Sequence, residues 1–215
     1  MPADFRLFYA PGACSLAPHI ALEETGSPFQ AIAIDTKGGE QRGAAYLAIN
    51  PKARVPALLV DGWALTENPA ILQFIARSFP AAQLWPEDPR GAARAAEWMA
   101  WLSSTVHVAY AHMRRAERYA STEPALEEVR AKGRESCEAL WPAIERAFGD
   151  GPWALGDAYS VVDAYLMVFW TWGQGPVLGF DMGRACPRWT AQARRMASRP
   201  AVQRAFRREA LELPR

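Results

Sequence analysis

Cysteine is scarce in this sequence: three in 215 residues, at Cys14, Cys137 and Cys186. An odd number at wide spacing builds neither a disulfide framework nor a zinc site, and a reducing, cytoplasmic setting is the simplest reading. Net charge is nearly absent as well. Lys and Arg number 24 against 23 Asp and Glu, which leaves +1. No basic field points to nucleic acid, and no acidic tail points to a charged partner. The longest apolar run, near Tyr165 to Trp172, falls far short of the roughly 20 residues that span a bilayer, so no membrane association is expected. The start, Met1-Pro-Ala-Asp-Phe-Arg, lacks an apolar segment after a basic one and does not read as a signal peptide. Internal repeats and low-complexity segments are missing. His107 and His112 stand five apart and fall on different helical faces, which argues against a metal pair.

What is present divides the chain. Phe5, Leu7 and Tyr9 alternate as in a strand, Pro11-Gly12 is a turn signal, and Leu16, Ile20, Ala21 and Leu22 have helical spacing up to Gly26. Residues 29–35 read as a second strand. Residues 40–48 read as a short irregular helix. Residues 55–60 form a third strand, joined through Asp61-Gly62 to a return strand at 63–65. Thr66 to Phe79 reads as a helix, with Thr66 as its cap and Pro69 in its first turn. This order predicts a thioredoxin-like α/β unit with a parallel first strand pair and an antiparallel second pair. Three prolines between Pro80 and Arg90 mark a linker, after which strand signals vanish. Helices are expected over 91–118, 124–148, 160–172, 187–198 and 200–211, the third being the most apolar. The expected domains are residues 1–80, α/β, and 90–215, all-helical. Nine tryptophans, most in the second half, imply large helical interfaces or an apolar groove.

Four features bear on chemistry. Cys14 lies where the first strand gives way to a helix; backbone N–H groups and the dipole there favour the thiolate, while a small buried core cysteine is the plainer reading. Val55-Pro56 opens a strand, and a cis bond there would turn the Val55 N–H and C=O toward a peptide ligand. Glu67-Asn68, at a helix start, offers an ammonium acceptor beside backbone donors for a carboxylate. His107 reads either as a packed histidine or as a group facing Cys14. His19 reads as structural, and Ser160-Val-Val-Asp163 as a capping box that starts the central helix.

Leu7-Phe-Tyr-Ala-Pro-Gly-Ala-Cys-Ser-Leu-Ala17, Asn50-Pro-Lys-Ala-Arg-Val-Pro-Ala-Leu58, Leu65-Thr-Glu67 and Tyr159-Ser-Val-Val-Asp-Ala-Tyr-Leu166 together resemble the glutathione S-transferases, most closely the bacterial beta class. The resemblance covers nearly the whole chain. It implies a homodimeric enzyme joining the glutathione thiol to small hydrophobic electrophiles, with no cofactor or metal. Cys14 and His107 would be catalytic, and Cys14 could form a mixed disulfide with glutathione. Val55, placed by Pro56, would pair with the cysteinyl backbone. Glu67 and Asn68 would hold the γ-glutamyl end, and Lys37 the glycyl carboxylate. Tyr9 would lie near the site, Ser104 would line the pocket one turn before His107, and Tyr110 and Met113 would wall the electrophile site. The sequence departs from the pattern at Asn68, usually Ser or Gly, and at Ala100, often polar. Two other readings of such a chain are a noncatalytic interaction protein and a specialised isomerase or dehalogenase.

Overall fold

The computed structural model describes residues 3–214, so the reading of Met1 and Pro2 lies outside it. Four strands, β1 (Phe5–Tyr9), β2 (Gln30–Ala33), β3 (Ala57–Val60) and β4 (Trp63–Thr66), form one sheet in the order β2-β1-β3-β4. β1 runs parallel to β2 and antiparallel to β3, and β3 and β4 form a hairpin. The turn residues Asp61 and Gly62 both take positive φ, 49° and 86°, which suits the twist of a two-residue hairpin. β2 is shorter than its apolar run. Its pairing ends where β1 ends, with the Ile34 N–H donating to the Tyr9 carbonyl at 2.7 Å.

α1 (Leu16–Thr25) and α3 (Asn68–Ser78) pack together beside the sheet, and α2 (Ala44–Leu47) joins Phe8, Ile34 and Ala57 in a small separate core through Tyr46. Thr66 does not cap α3. Its backbone is held in the ladder opposite Ala57, so the helix starts one step later, after Glu67. Beyond residue 88 the described residues are helical or irregular: α4 (Pro89–Trp101), α5 (His107–Arg114), α6 (Glu123–Ala147), α7 (Val161–Gln174), α8 (Met182–Ala185), α9 (Pro187–Ala197) and α10 (Pro200–Arg208). The expected continuous helix over 91–118 is interrupted, because residues Leu102–Val106 form a π-helical turn between α4 and α5.

A single apolar core runs through both parts, from Leu7, Leu16 and Leu58 to Trp141, Tyr165 and Phe169. α7 is its axis, as its largely apolar sequence requires. The capping box at its start closes as expected, with the Ser160 N–H donating to Asp163 Oδ2 at 2.9 Å and the Val162 N–H donating to Ser160 Oγ at 3.2 Å. Asp163 does more than cap. Its Oδ1 accepts from the Ala154 N–H at 2.9 Å and from Gln192 Nε2 at 3.1 Å, tying the preceding loop and α9 to the helix start. Burial pushes this carboxyl up to about 6 against the pull of those donors. Replacing Asp163 by Ala strands several buried donors at once and is expected to lower the unfolding free energy by about 3–5 kcal/mol. A urea titration checks this; a loss below about 1 kcal/mol would show that water already serves those groups.

Candidate functional site

A cleft of about 150 Å³ opens between the sheet edge and α5, with Cys14 in its lining. The turn that carries Cys14 is tightly specified. Gly12 takes φ +69°, a conformation that favours glycine. Ser15 is buried and clips the turn to the end of β1: its Oγ accepts from the Ala10 N–H at 3.1 Å and donates to the Ala10 carbonyl at 3.2 Å. The Gly12 N–H donates to Glu209 Oε2 at 2.9 Å, and the Gly12 carbonyl accepts from Trp172 Nε1 at 2.9 Å. Glu209 also bonds His19 Nδ1 at 2.7 Å, so the structural reading of His19 holds.

Val55-Pro56 is cis. The Cys14 thiol donates to the Val55 carbonyl at 3.5 Å. Asn68, buried, donates from Nδ2 to the Cys14 carbonyl at 2.9 Å, and its Oδ1 is enclosed without a hydrogen-bond partner among the described residues. Glu67 stands at φ 72°, an uncommon conformation for a residue with a side chain, and presents its carboxylate at the cleft rim. There it accepts from Lys52 Nζ at 2.7 Å, while Thr66 Oγ1 accepts from the same ammonium at 2.9 Å.

The facing wall comes from the second half. The π-helical turn, with its i to i+5 hydrogen bonds, is wider than an α turn and brings residues four to five apart onto one face. Ser103 and His107 therefore line the cleft together, and Ser104 does not: it is exposed and donates to the Ala100 carbonyl at 2.8 Å. The His107 ring packs edge-on against Trp172 at 5.1 Å and Phe169 at 6.0 Å. Val108, Ala111 and Tyr119 continue the wall.

The N-terminal domain model of the glutathione S-transferases matches residues 3–77. Glutathione S-transferase GstA of Escherichia coli O157:H7 is 34% identical over 210 residues, covering 96% of this chain and all of that one. The chain belongs to the glutathione S-transferase family. A solved glutathione transferase homolog from Sulfitobacter, with bound glutathione, superposes with a TM-score of 0.91 at 37% identity, covering 97% of this chain and 99% of that one. A bacterial beta class enzyme from Sphingomonas chungbukensis follows at 0.82 and 36%, covering 96% of this chain and all of its own.

Within this glutathione S-transferase fold the structure sorts the expected site residues. Cys14, Val55, Pro56, Glu67, Asn68 and His107 meet in one cleft. Five others stand outside its lining. Lys37 sits in an exposed loop whose backbone N–H is held by Asp35, so its place beside the cleft is not supported. Ser104 is displaced by the π turn, as above. Tyr9 is buried against His19, with ring centroids 4.9 Å apart. Tyr110 stacks on Trp172 at 4.3 Å and so backs the Gly12 turn. Met113 packs where α5 meets Gly133 of α6. Sequence reasoning missed Ser103, Arg54, Arg118 and Tyr165, all of which line the cleft, and Lys52, which binds Glu67. Lys52 and Arg54 lie inside a motif already singled out, four and two residues from Pro56, and that closeness was the available signal. Arg118 and Tyr165 reach the cleft only through the packing of the helical half.

Electrostatics bears on the two readings of Cys14 and favours the buried one. The Cys14 thiol is not lowered toward the thiolate but pushed up to about 12. Burial dominates; the N–H groups of Cys14 and Ser15 and the Asn68 amide pull the other way, and Glu67 adds to the rise. His107 is held down to about 4, first by burial and then by the Arg118 and Arg54 charges, with Glu67 opposing. It is therefore a neutral imidazole at neutral pH. Between its ordinary value of 6.5 and 4, the unfolded chain binds a proton here that the folded chain refuses, so this group withdraws stability as pH falls through that window. In ring-proton NMR His107 is expected to titrate near pH 4, and Arg118→Gln to move it upward. A folded-state titration at the ordinary value would mean that the ring is solvated.

Proposed function

We propose that this protein conjugates the glutathione thiol to electrophiles in the beta-class manner. The observation that carries this reading is the convergence of Cys14, the Val55 carbonyl before cis-Pro56, and the Glu67 carboxylate along one cleft wall. A tripeptide laid along that wall would set its cysteinyl backbone on Val55 and its α-ammonium group on Glu67. Its sulfur would then come beside Cys14 and opposite His107. The neutral ring of His107 is an acceptor for the thiol proton. The backbone donors of the Cys14 turn and the two nearby arginine charges favour the thiolate left behind. The thiolate then attacks a co-substrate resting on Val108, Ala111 and Tyr119.

Cys14 serves this chemistry better as a protonated neighbour than as a nucleophile. A thiol held near 12 carries almost no thiolate at neutral pH, which favours conjugation over thiol-disulfide exchange through Cys14. Glutathione is a substrate, and the chemistry calls for no metal or other cofactor. The reading also includes a cytoplasmic homodimer engaged in detoxification. Its support is the near-complete overlap with GstA and with beta-class structures.

The test is retention on immobilised glutathione together with turnover of a chlorodinitrobenzene. The protein is expected to show both, and His107→Ala to cut turnover by at least about 10-fold while changing retention much less. A chain that is neither retained nor active would be a noncatalytic interaction protein on this fold.

A further inference from the structure

The tryptophan-rich helical half holds a second cavity, which shares no lining residue with the cleft around Cys14. Its volume is about 640 Å³, a size typical of small-molecule sites. One wall is a face of α4. There Trp98 and Trp101 form a wedge, with ring centroids 5.3 Å apart and planes inclined by 41°. Phe148 backs the Trp98 ring at 6.1 Å. Another wall is the end of α6 and the loop after it, through Ala147, Ala154 and Leu155. That loop is fixed in place. Trp153 and Gly156 exchange backbone hydrogen bonds at 3.0 and 3.1 Å, the Ala154 N–H is held by Asp163, and the Pro152 carbonyl accepts from Arg195 Nη1 at 2.6 Å. The cavity is therefore preformed rather than a gap between mobile segments.

Its lining states what it would hold. The charged side chains there, Arg94 and Glu97, are paired with each other. An ion entering the cavity would lose its hydration with no unpaired countercharge to replace it. Flat indole faces favour a flat aromatic partner, through stacking and the large area that it buries. The indole N–H groups add a polar requirement. Trp170 and Trp172 spend theirs on Thr190 and on the Gly12 carbonyl, whereas those of Trp98 and Trp101 hydrogen-bond to no described residue. An indole N–H only donates, so its natural complement is an acceptor oxygen. We infer that this cavity is a second binding site, which takes an uncharged fused-ring aromatic molecule with a carbonyl acceptor and seats it against Trp98 and Trp101, apart from the Cys14 cleft. The inference goes beyond the transferase reading and does not depend on it.

The probe is 9-fluorenone, which is flat, uncharged and carries one carbonyl. Its 2-carboxylate adds a charge to the same frame, and fluorene removes the acceptor. Equilibrium dialysis of the full chain is expected to give a Kd of about 10 μM for 9-fluorenone, unchanged by saturating glutathione. The carboxylate and fluorene should each bind at least about 5-fold more weakly. Trp101→Ala is expected to raise the 9-fluorenone Kd by at least about 10-fold. Leu155→Glu, which sets an unpaired carboxylate in the loop wall, should raise it at least as much while retention on immobilised glutathione stays the same. This loop variant decides the matter if Trp101→Ala disturbs the adjoining π turn. The inference is overturned by absence of binding, by displacement with glutathione, or by a carboxylate or fluorene that binds as tightly as 9-fluorenone. A Kd that neither substitution moves would overturn it too, since the ligand would then lie elsewhere, as in the Cys14 cleft.

Discussion

The site is governed by the desolvation of one thiol. Cys14 lies under the Val55 carbonyl, with its own carbonyl held by Asn68 and its turn clamped by Ser15. A helix end and two backbone N–H groups act on the sulfur in the direction of the thiolate, yet burial outweighs them. The consequence runs through the whole site. A protonated Cys14 donates its S–H to the Val55 carbonyl, and the proposed function gives the role of nucleophile to the glutathione sulfur. His107 is kept neutral by burial and by two arginine charges, and on the proposed reading it accepts that sulfur's proton. The same two charges line the cleft beside His107.

That turn would not hold by itself. Its Gly12 N–H is taken by Glu209, just past the end of α10, and its Gly12 carbonyl by Trp172 of α7, so both polar groups of one residue are satisfied by the helical half. Tyr110 stacks on the far side of Trp172. Around this contact Arg204 and Arg208 reach Glu23, and Arg199 takes both oxygens of Glu24, so α1 is fastened to the C-terminal helices by charge-assisted bonds. The two halves share one core, and both hold the turn that carries Cys14. The helical half supplies a wall of the cleft and also fixes the geometry of the thiol in the sheet-bearing half.

Much of this was legible in the sequence. Alternation and turn signals located the strands, the hairpin and the central helix, and the Ser160–Asp163 spacing located its cap, because these depend on local chemistry. The family motifs brought Cys14, Val55, Glu67, Asn68 and His107 together. What was not legible depends on tertiary context. Nothing local announces the π turn over Leu102–Val106, which exchanges Ser103 for Ser104 in the cleft. Thr66 has good capping chemistry, but a strand pairing opposite Ala57 claims its backbone first. The aromatic and methionine positions proposed for the electrophile wall, Tyr110 and Met113, turn toward Trp172 and α6, and it is Val108, Ala111 and Tyr119 that line the cleft on this side. The dipole argument for a reactive Cys14 was sound physics applied without knowledge of burial, the larger effect.

The ionisation of Cys14 in the ligand-free protein tests this account most directly. Alkylation by iodoacetamide, followed at the Cys14 peptide by mass spectrometry across a pH series, reports the thiolate fraction; Cys137 and Cys186 are fully buried and serve as slow internal references. The Cys14 rate is expected to be still climbing steeply at pH 9.0, the ordinary thiol value. A rate that levels off well below that pH would show a stabilised thiolate, and would return Cys14 to the role of nucleophile.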